Sequence, residues 1–193
     1  MINNIAIIMG NPYSESYCNA LAEAYRTGAT GSGANVRVID LSTMTFEPNL
    51  KFGYHQRTVL EDDLLVAQET IRWADHLVFV YPTWWGTMPA IMKGFFDRVF
   101  LPGFAFESKP NSLLTKKLLK GKSARLIVTM DSPKWYYRLF LRGAGHRIMK
   151  DAILKFCGIN PVRITEMGQV KLTSATTREQ WLAKVQKLGS RRA

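Results

Sequence analysis

The sequence predicts an α/β protein built on a doubly wound, five-stranded parallel sheet. Three observations predict it. Short apolar runs alternate with amphipathic helical stretches along the 193 residues, the pattern of successive βαβ units. The apolar runs are continuous rather than alternating, as in strands buried on both faces. Polar or Gly- and Pro-marked loops follow these runs, at the sheet edge where open α/β folds bind ligands.

Residues 5–9 form the first strand and stop at Gly10. The turn 11–16 is polar, and Ser16 is placed to N-cap a helix running from Tyr17 to about Thr30. Leu21, Ala24 and Tyr25 recur in it at helical spacing, and Gly28, Gly31 and Gly33 close it. Residues 35–40 form the second strand, completing a crossover unit. Residues 41–58 show no firm period; Pro48, Gly53, Phe46, Phe52 and Tyr54 predict a long excursion over one edge, the kind of loop that often carries function. A helix spans 61–73 around Leu64, Leu65 and Ile71. The third strand contains Leu77, Val78, Phe79 and Val80. An aromatic turn follows, then a helix opening with Pro89, where a missing N–H costs nothing.

Residues 101–121 form a second long connection, with Leu113-Leu114 and Leu118-Leu119 flanking Lys116-Lys117 as a short hairpin or helical turn. Residues 123–129 are the fourth strand. A loop over 130–142 carries Trp135, Tyr136 and Tyr137. A helix over 145–156 stops at Gly158, a left-handed terminator. Residues 162–165 are a short fifth strand. The last helix spans 177–188, with Thr177 as cap and Gln180 three residues on, ahead of a loose tail. Strand and helix thus alternate five times. The expected strand order is 2-1-3-4-5, the flavodoxin-like arrangement, in a single domain over residues 1–193.

Two cysteines, Cys18 and Cys157, do not make a disulfide framework, so a reducing, cytoplasmic setting is expected. The N-terminus lacks a basic region and reaches Gly10-Asn11-Pro12 too soon for a signal peptide, and no apolar run approaches a membrane span. The net charge is +11 and uneven: residues 1–108 carry net −4, residues 109–193 net +15. Such a basic half is either a solvated surface or a face for an anionic partner: a phosphorylated cofactor, anionic lipid or nucleic acid. Nucleic acid is disfavoured, because no helix-turn-helix, zinc-ligand or RNP pattern is present. No metal-ligand spacing stands out.

Three loops carry the candidate chemistry. The first, 10–19, joins strand to helix start, where unpaired N–H groups and the helix dipole favour a phosphate; Ser14, Ser16 and Asn19 add donors. It matches neither Gly-x-Gly-x-x-Gly nor a P-loop, and Ser16 serves equally as a plain N-cap. The second, 82–87, puts Trp84 and Trp85 side by side; two adjacent indoles cannot easily share one core, and a planar ligand would satisfy both. The third, 129–137, holds Asp131, a turn former, and Trp135-Tyr136-Tyr137, an aromatic lid. In the order 2-1-3-4-5 the three loops line one crevice with a phosphate end and an aromatic end, a shape that suits flavin mononucleotide.

Pro82-Thr83-Trp84-Trp85, Met88 to Gly94, Asp97-Arg98-Val99-Phe100 and Pro102 to Phe106 resemble the flavodoxin-like NAD(P)H:quinone oxidoreductase family, the group of DT-diaphorase, the potassium-efflux ancillary oxidoreductases and the modulator of drug activity. The resemblance threads through nearly the whole chain. It implies bound FMN, with FAD the second choice, and ping-pong hydride transfer from NAD(P)H to a quinone, azo or nitro acceptor. By position it implies flavin contacts from Asn11, Ser16, Tyr17 and Cys18 at the phosphate end. Pro82, Thr83, Trp84 and Trp85 would line the ring, and Thr129, Met130, Asp131 and Ser132 would flank it. Tyr136 or Tyr137 and His146 would stand near the quinone. Phe106 would reach across a homodimer interface to cover the partner's flavin.

The chain departs from the family where Met130-Asp131-Ser132 replaces Thr-Gly-Gly, where Asn11 replaces His and where Cys18 replaces Asn. A carboxylate at Asp131 would oppose negative charge on a reduced ring unless it turns away. His146 reads equally as a helix-start residue. Cys18, at a helix N-terminus, is a candidate for a lowered pKa, or simply fits its loop; Cys157 reads as core. The alternatives to an enzyme are a flavodoxin-type electron carrier, which the net charge opposes, and a flavin-binding regulatory subunit of a membrane transporter. Peripheral contact with an anionic membrane is a further expectation from the basic half.

Overall fold

A computed structural model describes residues 2–56, 58–108 and 115–192. The apolar runs become the strands of one parallel sheet: β1 (Asn4–Met9), β2 (Asn35–Asp40), β3 (His76–Pro82), β6 (Ser123–Thr129) and β7 (Val162–Met167). The order is β2-β1-β3-β6-β7, the expected 2-1-3-4-5 once two short strands outside the sheet are set aside. All four pairings are parallel. Successive residues of a strand point to opposite faces, and both faces are apolar. Ile5, Ile7, Val78, Val80 and Ile127 pack under α1 (Tyr17–Gly31) and α7 (Ala175–Ser190). Ala6, Ile8, Leu77, Phe79, Leu126 and Val128 pack under α2 (Asp62–Trp73) and α3 (Ala90–Val99).

The first helix starts as read: Ser16 is extended at φ −81° and its side chain accepts the Asn19 N–H. Pro89 stands one residue outside α3, as its N-cap. The excursion after β2 has no regular element among its described residues and is tied down by one buried cation. Arg98, 1% exposed, donates to the carbonyls of Glu47 and Val59 and pairs with Glu61 at 2.6 Å. Pro48 lies so close to Gly94 that a Cβ there would stand 2.5 Å from it.

The second long connection contains an antiparallel pair, β4 (Phe106–Ser108) with β5 (Thr115–Lys117). The hairpin alternative therefore describes it; Leu113-Leu114 lie outside the described residues. Three readings need correction. The stretch read as an aromatic loop contains a helical turn and a half, α4 (Lys134–Leu139), entered through Pro133 at φ −60°. The next helix is not uniform: α5 (Ala144–Arg147) runs into a π-helical segment (Ile148–Leu154) and then α6 (Lys155–Cys157), which ends at Gly158 with φ 103°. The last helix is capped by Ser174, whose hydroxyl accepts the Thr177 N–H at 3.2 Å, so Thr177 lies inside the helix rather than at its cap. Among the described residues no helix is long and apolar enough to cross a membrane, and no His, Cys, Asp and Glu group could hold a metal ion.

Candidate active site

Strands β1, β3 and β6 are neighbours, so the loops leaving their carboxyl ends lie side by side. Direct bonds join them. The Thr83 N–H donates to Thr129 O at 2.7 Å, fastening the second loop to the third. Cys18 Sγ lies 3.2 Å from Thr129 Oγ1, bringing the start of α1 against the end of β6. The crevice is thus a bonded frame rather than three independent loops.

In the first loop, Asn11 is buried and its Oδ1 accepts the Tyr13 N–H at 3.0 Å, which sets the polar turn. Ser16 Oγ and Asn19 bond each other, and Asn19 Nδ2 donates to Ser14 O at 2.7 Å. These side chains shape the loop; the N–H groups of the first helical turn, at Tyr17 and Cys18, are left without intrahelical acceptors. Tyr17 turns its hydroxyl to Arg178 O at 2.8 Å and packs on Trp181. Cys18 needs a correction: the helix N-terminus does not acidify it. Burial pushes its thiol up to about 11, against smaller opposing effects of its bonds to Thr129 and Asn11.

The second loop is a tight reversal. The N–H of Trp84 donates to Thr87 O at 2.8 Å and that of Thr87 to Trp84 O at 3.0 Å. The two residues at its tip both have positive φ, Trp85 at 50° and Gly86 at 78°. Gly86 adopts this freely; a bulky Trp does so only under strain. Neither indole is a core residue: Trp84 is 47% exposed and Trp85 103%. The tip N–H groups of Trp85 and Gly86 stand outside the turn's own pair of bonds.

In the third loop, Met130 is buried and stitched to the segment after β7: its N–H donates to Met167 O, and its carbonyl accepts from Val170 N. The Asp131 carboxylate is exposed and turned to Lys171, accepting its N–H at 3.3 Å and pairing with Nζ at 3.0 Å. Ser132 is half-buried beside it. Tyr136 is exposed, stacked on Phe140 at 5.0 Å. Tyr137, 1% exposed, donates its hydroxyl to Gly86 O at 2.9 Å and accepts the Gly145 N–H at 2.9 Å. It therefore clamps the tryptophan turn to the start of α5, and burial raises its pKa. A Cβ on Gly145 would meet both Gly86 O and this hydroxyl inside 3.0 Å.

His146 is buried against Tyr137, ring centroids 4.8 Å apart, with Nε2 2.9 Å from Glu166 Oε1. The contact is not an aligned hydrogen bond, and it becomes an ion pair only when the imidazole is protonated. Burial holds the imidazole below its ordinary pKa, against the pull of Glu166. Arg138 closes the group by pairing with the other oxygen of Glu166. The sequence reading missed Glu166 and Arg138, while Gly86 lay within the 82–87 loop that it singled out. Glu166 left a signal, a carboxylate near the end of an apolar strand; the reading stopped that strand at Thr165, two residues short of its end at Met167. Phe106 stands apart from the three loops. Half-buried, with its ring 5.2 Å from Phe156, it lines a cavity of about 530 Å³ with Tyr54, Phe96 and Phe100.

The fold is that of a doubly wound α/β protein, with the three candidate loops at the carboxyl edge of the sheet. The chain belongs to the flavodoxin-like fold family, which matches residues 3–189. An uncharacterized NAD(P)H oxidoreductase of Haemophilus influenzae is 29% identical over 181 residues, 91% of this chain and 89% of that protein. The mouse ribosyldihydronicotinamide dehydrogenase [quinone] is 27% identical over 183 residues, 80% and 76% of the two. A Streptococcus mutans protein of known structure superposes with a TM-score of 0.86 at 33% identity, covering 97% and 99%. An FMN-dependent NADH-azoreductase of Bacillus anthracis, solved with FMN, superposes with a TM-score of 0.75 over 100% of both chains; at 18% identity that likeness is one of fold.

Proposed function

We propose that this protein is an FMN-dependent NAD(P)H oxidoreductase that reduces quinones. The observation that carries the reading is the strained, fully exposed Trp85 beside Trp84, on a loop bonded to the other two. Backbone strain at a bulky residue persists where the surroundings hold it for use. Two open indole faces and free tip N–H groups fit a flat, hydrogen-bonding ring, and the first-turn N–H groups of α1 fit its phosphate. The names of the Haemophilus and mouse relatives support NAD(P)H as donor and a quinone as acceptor.

FMN bound there would supply hydride transfer from NAD(P)H and then, after the nicotinamide leaves, to the acceptor in the same place. The residues bind and orient. Asn11 and Ser16 hold the phosphate loop; Cys18 and Thr129 fix it to β6. Pro82, Thr83, Trp84 and Trp85 line the ring. Asp131, turned to Lys171, has its charge offset, which removes its conflict with a reduced ring. Tyr136 is the one of the three candidate groups that reaches solvent; Tyr137 and His146 hold the wall behind it. Phe106 and its aromatic cavity form the face through which a second copy would complete a homodimer.

Extraction of the flavin with mass determination, followed by assay of NAD(P)H oxidation with a benzoquinone, tests this. FMN and parallel double-reciprocal lines are expected. A protein that takes up neither FMN nor FAD overturns the reading, and a yellow protein inert to NAD(P)H is an electron carrier. Light scattering in solution reads the dimer.

A further inference from the structure

Among the described residues, exposed large apolar side chains also gather outside the aromatic cavity, in the run from Trp135 to Ile148. Trp135 is 60% exposed, Leu139 70% and Phe140 66%, with Tyr136, Leu141 and Ile148 each above 40%. The rings form one cluster, Trp135 6.1 Å from Tyr136 and 6.2 Å from Phe140. Leu141 reaches to 3.9 Å from where a Cβ of Gly86 would be, so the patch is continuous with the tryptophan turn. Soluble surfaces do not gather large apolar side chains in this way without a use.

The charges around it have one sign. Arg138, Arg142 and Arg147 fall in this run and Lys134 and Lys150 flank it, and residues 134–150 hold no Asp or Glu. Arg138 is neutralised by Glu166; of the other carboxylates beside the run, Asp131 is paired with Lys171 and Asp151 with Lys155. A second copy of this chain seated here would set these cations against their own counterparts, because a two-fold contact pairs a patch with itself. The aliphatic members Leu139, Leu141 and Ile148 offer nothing for a nucleic acid base to stack on. An anionic bilayer answers both features: its headgroups attract Lys and Arg, and its interface takes up Trp, Tyr and Phe beside leucines.

We propose that the Lys134–Lys150 face docks on anionic lipid and dips the α4 aromatics into the interface, with the tryptophan turn at its rim. The proposal does not depend on the flavin reading, since lipid binding is measured without turnover. The test is co-sedimentation of the purified full chain with phosphatidylcholine vesicles, with and without phosphatidylglycerol. Trp135→Ser with Phe140→Ser and, separately, Arg142→Glu with Arg147→Glu are compared with the wild type. All four positions are exposed, and circular dichroism checks the fold. Binding to the mixed vesicles is expected, weakened by salt, and about tenfold or more lower for each variant. The proposal is overturned if the wild type ignores mixed vesicles or if either variant sediments like it. It is also overturned if the substitutions instead dissociate a dimer, or if the face binds a single-stranded oligonucleotide and not the vesicles.

Discussion

Trp85 shows how much a single dihedral can carry. Its φ of 50° is a conformation that Asn and Gly enter readily and Trp does not. Trp85→Asn is therefore expected to stabilise the flavin-free protein by about 1 kcal/mol in urea titration, while weakening flavin binding through the lost ring; equal or lower stability would remove the strain argument. His76 makes a second residue-scale prediction. It is buried at the start of β3, with Nδ1 2.7 Å from Ser123 Oγ, and burial lowers its pKa from 6.5 to about 4, with Arg125 and Arg163 adding to the effect. The unfolded chain takes up this proton below about 6.5 and the folded chain only near 4, so stability falls as pH drops through that window. The slope approaches about 1.4 kcal/mol per pH unit from this group. His76→Gln is expected to flatten it, measured as urea midpoints at several pH values between 7 and 4.5.

Among the elements, α1 and α7 touch through glycine. A Cβ on Gly28 would stand 1.9 Å from Gln186 O, and one on Gly189 would stand 2.2 Å from Tyr25 O. Both obstacles are backbone, so the helices must part. Gly28→Ala is expected to lower stability by about 1–3 kcal/mol despite the better helix propensity of Ala; a neutral or higher thermal midpoint would contradict this packing. The same glycine entered the sequence reading only as a helix terminator, because a helix–helix contact leaves no periodic mark. The strands were legible because burial on both faces writes a continuous apolar run. The π-helical segment Ile148–Leu154 was not, since its apolar spacing reads as an ordinary helix. The cap of α7 was misplaced because Ser174 and Thr177 offer the same hydroxyl three residues apart, and only backbone dihedrals choose between them.

For the molecule as a whole, ligand binding and stability are linked. FMN in hundredfold excess over its dissociation constant is expected to stabilise the fold by about 2.7 kcal/mol, seen as a raised Tm by differential scanning fluorimetry with FMN but not riboflavin at equal concentration, if the first-turn N–H groups of α1 hold the phosphate. Sequence by itself determined the doubly wound sheet, its strand order and the three loops at one edge, because hydrophobic period and loop chemistry are local properties of the chain. Tertiary structure decided which side chains face the crevice. Tyr137 turned from lid to clamp because its hydroxyl meets Gly86 and Gly145, and Asp131 turned to a lysine forty residues away. The Trp84-Trp85 turn was legible as two residues without a core. Its strain and its bonds to Thr129 and Tyr137 arise only when β3, β6 and α4 are brought together, because hydrogen-bond partners distant in sequence are chosen by packing.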